Sequence, residues 1–244
     1  MKSKIAGDRL RGKTALITGA SRGIGLAIAQ ALADEGCNLV LTGRNQSTLN
    51  QAGRELSRGK VSVLPLVCDV RHPLEVEQLL AAVKTQCHRL DILINNAGVA
   101  HPSLSVAKLP VDSWMEVIET NLTGMFLVTR AALALMRRGG AIVNNLSIAA
   151  KRVFPGSSAY DASKHGALGF TNTLREELRT QGIRVMALLP GATDTAIWNT
   201  LWPEAPRKKM MSPKTVAEAV VNALLVPDRS TVEALQILPS VGAL

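Results

Sequence analysis

Thr14-Ala15-Leu16-Ile17-Thr18-Gly19-Ala20-Ser21-Arg22-Gly23-Ile24-Gly25 is the stretch that decides the fold. Its first five residues are apolar or β-branched, as in a strand buried on both faces. Three glycines spaced Gly-x-x-x-Gly-x-Gly follow, and from Ile24 to Glu35 apolar residues recur at three- and four-residue steps. Strand, glycine turn and helix in that order form the context of a dinucleotide site. Glycines permit a tight turn and close backbone approach, and the free amides and dipole of the helix N-terminus hold a pyrophosphate. The spacing departs from Gly-x-Gly-x-x-Gly, and a glycine-rich turn alone is as compatible with a purely structural turn.

Outward from this stretch, β-rich runs and helical-period segments alternate. Strands are predicted at Thr14–Thr18, Asn38–Thr42, Val61–Val67, Asp91–Ile94, Ala141–Asn145, Arg184–Leu188 and Ala234–Leu238. Helices are predicted at Ile24–Glu35, Ser47–Ser57, Leu74–Cys87, Asp112–Arg137, Ser158–Thr180 and Lys214–Leu225. This alternation predicts an α/β class: a doubly wound, Rossmann-like, seven-stranded and mostly parallel sheet with helices on both faces. With 244 residues, 47% of them hydrophobic, and no repeat or Gly/Ser linker, the expectation is one domain over 1–244. The irregular stretch from Pro190 to Pro213 follows the sixth strand, where open α/β sheets place their ligands, and is read as a substrate lid.

No apolar run is long enough for a membrane span, and Lys2, Lys4, Arg9, Arg11 and Lys13 precede no apolar signal core, so a cytoplasmic address is expected. Cys37, Cys68 and Cys87 are odd in number and widely spaced, which fits buried reduced thiols. His72, His88, His101 and His165 share no metal-ligand spacing, so no metal is expected. The net charge of +9 is diffuse apart from the amino-terminal arm and Arg207–Lys209, and a chain with three Phe, three Trp and one Tyr has little with which to stack bases. Nucleic acid is therefore not an expected partner.

The glycine pattern is followed by Asn95-Asn96-Ala97-Gly98, by Ser147, and by Tyr160-Asp161-Ala162-Ser163-Lys164. With these landmarks in this order the chain resembles the short-chain dehydrogenase/reductase family, from Thr14 to Thr195. The resemblance implies that Tyr160 is the general acid/base, that Lys164 lowers its pKa and holds the nicotinamide ribose, and that Ser147 orients the substrate oxygen. Asn121 would complete a proton-relay tetrad. The i, i+4 spacing of Tyr160 and Lys164 puts them on one helix face, and a nearby ammonium favours a phenolate. His165 then points away, in a packing or surface role, and His101 is a loop residue that borders the substrate or is simply solvated.

NADP(H) is the expected cofactor. After the second strand Gly43 stands where an NAD enzyme carries a carboxylate for the ribose, while Arg44 and Arg22 offer two guanidinium groups for a 2′-phosphate. The resemblance adds Gly19, Ser21, Gly23, Ile24 and Gly25 at the pyrophosphate, Asp69 and Val70 at the adenine, and Asn95, Ala97 and Gly98 after the fourth strand. Asn96 is read mainly as a stabiliser of the sheet, and the resemblance further implies that Pro190, Gly191, Thr193 and Thr195 contact the carboxamide.

The expected reaction is hydride transfer between nicotinamide and a carbonyl or secondary alcohol. Phe154, Trp198 and Trp202 suggest an apolar wall favouring a hydrophobic ketone or aldehyde; a 3-oxoacyl thioester ranks second, because Leu235–Pro239 lacks the Gly-rich finish that the resemblance implies for the family's acyl-thioester reductases. Core or interface anchoring is an equal reading of those aromatic residues. The rival function is a non-catalytic dinucleotide-binding sensor or scaffold, whose expected mark, loss of the Tyr or Lys, is missing here. The resemblance also implies a homodimer or homotetramer joined through the helices near 112–137 and 158–180, burying Val128, Leu135, Leu168 or Phe170.

Overall fold

A computed structural model describes residues 10–57, 61–227 and 229–242, so part of the basic arm, Lys2, Lys4 and Arg9, lies outside the described residues. Seven parallel strands run in the order β3-β2-β1-β4-β5-β6-β7. They are β1 (Thr14–Thr18), β2 (Asn38–Gly43), β3 (Val63–Val67), β4 (Ile92–Asn95), β5 (Ala141–Asn145), β6 (Arg184–Pro190) and β7 (Ala234–Ile237). The central strands β1, β4 and β5 are buried at every position, as parallel strands covered on both faces must be. Pro65 is tolerated in β3 because that strand is an edge, where a missing N–H breaks no ladder. At the opposite edge, β7 alternates between exposed and half-buried residues.

Helices α1 (Gly23–Asp34), α2 (Gln46–Leu56), α3 (Pro73–Cys87), α4 (Val111–Ile118), α5 (Gly124–Ala132), α6 (Ser158–Arg179), α7 (Trp198–Leu201) and α8 (Pro213–Leu224) complete the fold. One layer packs Ile28, Leu32, Leu49, Val216 and Val220 from α1, α2 and α8 against Ile17, Leu41, Ile94 and Val143. The other packs Val76, Val83, Val128, Leu174 and Leu178 from α3, α5 and α6 against Leu16, Val40, Leu93 and Ile142. The chain winds to opposite edges from β1 and β4, so the loops after these two strands diverge and open a crevice at their carboxyl ends.

Two expectations need correction. The single helix Asp112–Arg137 is broken by a π-helical turn at Glu119–Thr123 and ends in a 3₁₀ turn at Leu133–Leu135. The cause is tertiary: the wider turn carries Asn121 into the chain's interior, where it bonds the loop after β4. Val128 and Leu135 belong to the chain's own core, 1% and 7% exposed, and are not available to a second subunit. The apolar side chains left exposed on α4 and α5 are Val111, Trp114, Met115 and Phe126, the last packed edge-on against Phe170 with ring centroids 6.1 Å apart.

Candidate functional site

A cavity of about 1000 Å³ lies at the crevice, lined by residues from the ends of β1, β2, β4, β5 and β6 and from the start of α6. Arg22, the N-terminal flanking residue of α1, gives the helix no side-chain cap, so its first-turn amides remain available to an anion. Gly19 holds φ +64°, and a Cβ there would stand 3.0 Å from both Ala97 Cα and Asn96 Nδ2. A Cβ on Gly25 would meet Gly19 O at 2.5 Å. Gly19 therefore lets the turn close against the β4 loop, while Gly25 lies behind the turn and does not line the cavity.

A relay of carboxamides ties this turn to the other end of the site. Thr18 Oγ1 accepts hydrogen bonds from the amides of Asn96 and Ala97, both at 2.9 Å. Asn96 Nδ2 donates to Thr18 O at 2.9 Å and to Gly19 O at 3.1 Å, and its Oδ1 accepts from Asn145 Nδ2 at 2.8 Å. Lys164 Nζ in turn donates to Asn145 O at 3.1 Å. Asn96 thus anchors the loop as well as the sheet. Asn145, which the sequence reading did not single out, lies at the carboxyl end of β5, a position that open α/β sheets turn toward their ligand.

Asn95 does not reach the cavity. Strand alternation turns it to the opposite face, where Nδ2 donates to Thr129 Oγ1 at 2.8 Å and Asn144 Oδ1 at 2.9 Å. Asn121 is likewise fully buried away from the lining. Its Oδ1 accepts from Val99 N at 2.8 Å, and its Nδ2 donates to Val99 O and Ser163 Oγ, both at 3.0 Å. It holds the loop after β4 onto α6 rather than facing a ligand with its side chain.

Ser147, Tyr160 and Lys164 all line the cavity. Ser147 stands close enough to the Tyr160 phenol to influence its proton, and Lys164 Nζ lies 5.5 Å from the centre of the Tyr160 ring. Burial pushes the Tyr160 phenol up to about 12, with Ser147 pulling the other way and the Asp161 charge adding to the rise. Burial also pushes the Lys164 ammonium down to about 8. Burial and the Asp161 charge together outweigh the pull of Ser147, so the phenol keeps its proton at neutral pH.

At the opposite end, Ser21, Arg22, Gly23, Ile24, Arg44, Asp69, Val70, Ala97 and Gly98 line the cavity. Arg44 Nη1 stands 3.7 Å from Glu116 Oε1, both groups half exposed, and Gly43 contributes no carboxylate. Burial works to raise the Asp69 carboxyl, but the bonds and charge of Arg71, whose Nη2 lies 2.6 Å from Oδ2, hold it below the usual range. Pro190, Gly191, Thr193 and Thr195 line the side below β6.

Phe154, Trp198 and Trp202 share the outer wall with Ile197 and Leu201. Phe154 is fixed by its amide donating to Asp161 Oδ2 at 2.7 Å, and Trp198 by Nε1 donating to Thr193 O at 2.9 Å. His101 lines the cavity at 2% exposure, so it is buried rather than solvated; its Nδ1 carries the hydrogen, because its partner at 2.7 Å is the Pro102 carbonyl. His165 is exposed and bonds Asp161 O through Nδ1. Cys37 and Cys68 are buried free thiols pushed up to about 12 by burial. Among the described residues no group of three or more His, Cys, Asp or Glu side chains is arranged to hold a metal ion, and no helix is long and apolar enough to cross a membrane.

The short chain dehydrogenase family profile matches residues 13–206. An uncharacterized oxidoreductase of Staphylococcus saprophyticus is 36% identical over 234 residues, 94% of this chain and 98% of that protein. A putative ketoacyl reductase of Streptomyces coelicolor is 36% identical over 255 residues, covering 94% and 97% of the two chains. Among solved structures, an alcohol dehydrogenase of the archaeon Thermococcus sibiricus complexed with 5-hydroxy-NADP superposes with a TM-score of 0.87 at 32% identity, over 93% of this chain and 97% of that one. A variant of actinorhodin polyketide ketoreductase with NADPH superposes at 0.84 with 34% identity, over 97% and 99%.

Proposed function

The chain belongs to the short-chain dehydrogenase family and is an oxidoreductase of that family; from this premise we propose that it uses NADP(H) to interconvert a hydrophobic ketone or aldehyde and its alcohol, with Tyr160 as proton donor and acceptor. The observation that carries the reading is the joining, in one cavity, of Tyr160, Ser147 and Lys164 with an uncapped helix terminus at one end and the Phe154, Trp198 and Trp202 wall at the other.

The residues present fit the cofactor. All of these line the cavity except the α1 amides, which open onto it: the amides opening α1 would hold the pyrophosphate, Arg22 and Arg44 the 2′-phosphate, Asp69 and Val70 the adenine, Lys164 the ribose, and Pro190, Gly191, Thr193 and Thr195 the carboxamide. When bound in its reduced form, the cofactor supplies the hydride. Ser147 holds the substrate oxygen beside Tyr160, which gives that oxygen its phenolic proton as the carbonyl carbon gains hydride. With the phenol near 12 and the ammonium near 8, both groups carry their protons at neutral pH, which suits the reductive direction. Asn121 acts through the Val99 backbone as a positioning residue. Residues 1–244 form one domain in this reading, with 190–213 as its lid.

A 3-oxoacyl thioester is the second substrate reading, favoured by the likeness to the Streptomyces ketoacyl reductase. The deciding experiment follows NADPH oxidation over ketones, aldehydes, quinones and 3-oxoacyl thioesters, for the native chain and Tyr160→Phe. Turnover of an apolar ketone or aldehyde that falls by ~10² to 10⁴ in the variant supports the reading; equal turnover removes Tyr160 from the mechanism. NADPH binding with no turnover of any class would favour the sensor alternative. Self-association through the exposed Trp114, Met115 and Phe126 is part of the same proposal, and sedimentation showing only monomer would remove it.

A further inference from the structure

The excursion between β6 and α8 is closed at its base by a bridge between Thr193 and Met211. Beyond that base it has two arms, one running through Asp194–Leu201 and one through Ala205–Lys209. Among the described residues the side-chain hydrogen bonds that join these arms all come from Arg207. Its Nη1 donates to Asp194 Oδ1 at 2.8 Å and to Thr195 O at 2.7 Å, and its Nη2 donates to Asn199 Oδ1 at 2.7 Å. A planar guanidinium with two forked nitrogens reaches three acceptors at once, which a lysine cannot do in this geometry. Arg207 itself does not line the cavity, and neither does Asp194 or Asn199. Asn199 sits on the outer face of the single turn α7, whose neighbouring residues Trp198, Thr200 and Leu201 face the cavity.

We propose that Arg207 is a positioning residue for substrate binding: by clamping Asp194, Thr195 and Asn199 it fixes α7, and so the Trp198 and Leu201 wall, without touching substrate or cofactor. The proposal rests on the reading of this cavity as an oxidoreductase site. A helix of one turn has no independent stability, so its place over the cavity depends on such outside contacts. Loosening the latch leaves Ser147, Tyr160 and Lys164 in place, since Ser147 heads the 3₁₀ turn that follows β5 and the other two stand on α6, and weakens the apolar wall that orders the substrate. The effect therefore falls on KM rather than on kcat.

The test compares the full native chain with Arg207→Ala and with Asn199→Ala, which removes only the Nη2 bond and guards against a misfolded Arg207 variant. Acetophenone is the kinetic probe at saturating NADPH, and chymotrypsin, which cuts after Trp and Leu, probes the arm at Trp198–Trp202. Arg207→Ala is expected to raise KM by about tenfold with kcat within about twofold. Cleavage at Trp198–Trp202 is expected to quicken about tenfold, with a smaller change in both readouts for Asn199→Ala. Native cleavage rates with native KM overturn the proposal, as does a loss of kcat and melting temperature with KM unchanged. If the native chain does not turn over acetophenone, the functional reading is what suffers, and the cleavage comparison still decides the latch.

Discussion

Lys164→Met is expected to make the cofactor-free protein more stable at neutral pH, although it removes a residue assigned to the reaction. Lys164 is 5% exposed, its ammonium has one hydrogen bond to Asn145 O, and burial has moved it from 10.5 to about 8. At 1.36 kcal/mol per pKa unit, that displacement is a penalty of about 3 kcal/mol on keeping the group charged in the folded state. Methionine is unbranched, of similar length and uncharged, so it relieves the penalty and forfeits a hydrogen bond worth ~1 kcal/mol. The net gain of ~2 kcal/mol corresponds to a melting temperature higher by about 4–8 °C for a chain of this size. The sign with pH follows from proton binding. Between about 8 and 10.5 the unfolded lysine holds a proton that the folded one has lost, so native stability rises through that window and the variant's advantage shrinks. Above the window only the lost hydrogen bond remains, and the variant becomes the less stable protein. Thermal melts of both proteins at pH 7 and at several points up to pH 10.5 read this directly, because every other titrating group is common to the pair. A variant that melts below the native chain at pH 7, or a difference that stays constant over the whole range, would refute the reasoning.

The other expectations are simpler to read. Arg44→Asp should weaken NADPH binding by at least about tenfold and improve NADH binding, since a carboxylate beside Gly43 repels a 2′-phosphate and accepts from a ribose hydroxyl; dissociation constants for both cofactors check it, and equal native affinities would contradict the assignment. Carbonyl reduction should hold steady through neutral pH and fail only as the phenol near 12 titrates, while alcohol oxidation should climb with pH over the same range; initial rates in the two directions with parallel slopes would exclude Tyr160 as the shared group. Asn121→Ala removes three bonds and leaves the Val99 amide and carbonyl without that partner, a loss of ~2–5 kcal/mol. Denaturant unfolding measures it, and a change under ~1 kcal/mol would mean the π-helical turn is held by something else.

Local chemistry alone determined a great deal about this chain. The run from Thr14 to Gly25 specifies strand, turn and helix because apolar period and glycine placement act within a few residues. The alternation of such units leaves a parallel sheet covered on both faces as the way to bury the central strands, and the predicted strand cores, with the helix cores other than the one across 112–137, fall where the structure has them. Tyr160 and Lys164 could be paired from spacing because a helix fixes the relation of i to i+4. What the sequence left open depended on partners far along the chain. Asn95 and Asn96 are adjacent and chemically identical, and only the pleat of β4 against Asn144 and Thr18 decides which faces the cavity. The break at Glu119–Thr123 is invisible in an apolar pattern that runs through it, since its cause is a carboxamide bonding Val99, 22 residues earlier. Whether Val128 served a subunit contact or the core depended on whether α3 covers it, and the fate of the Tyr160 proton depended on how completely the assembled walls exclude water. Burial and long-range hydrogen bonding are properties of the folded assembly, so these answers come only with the tertiary structure.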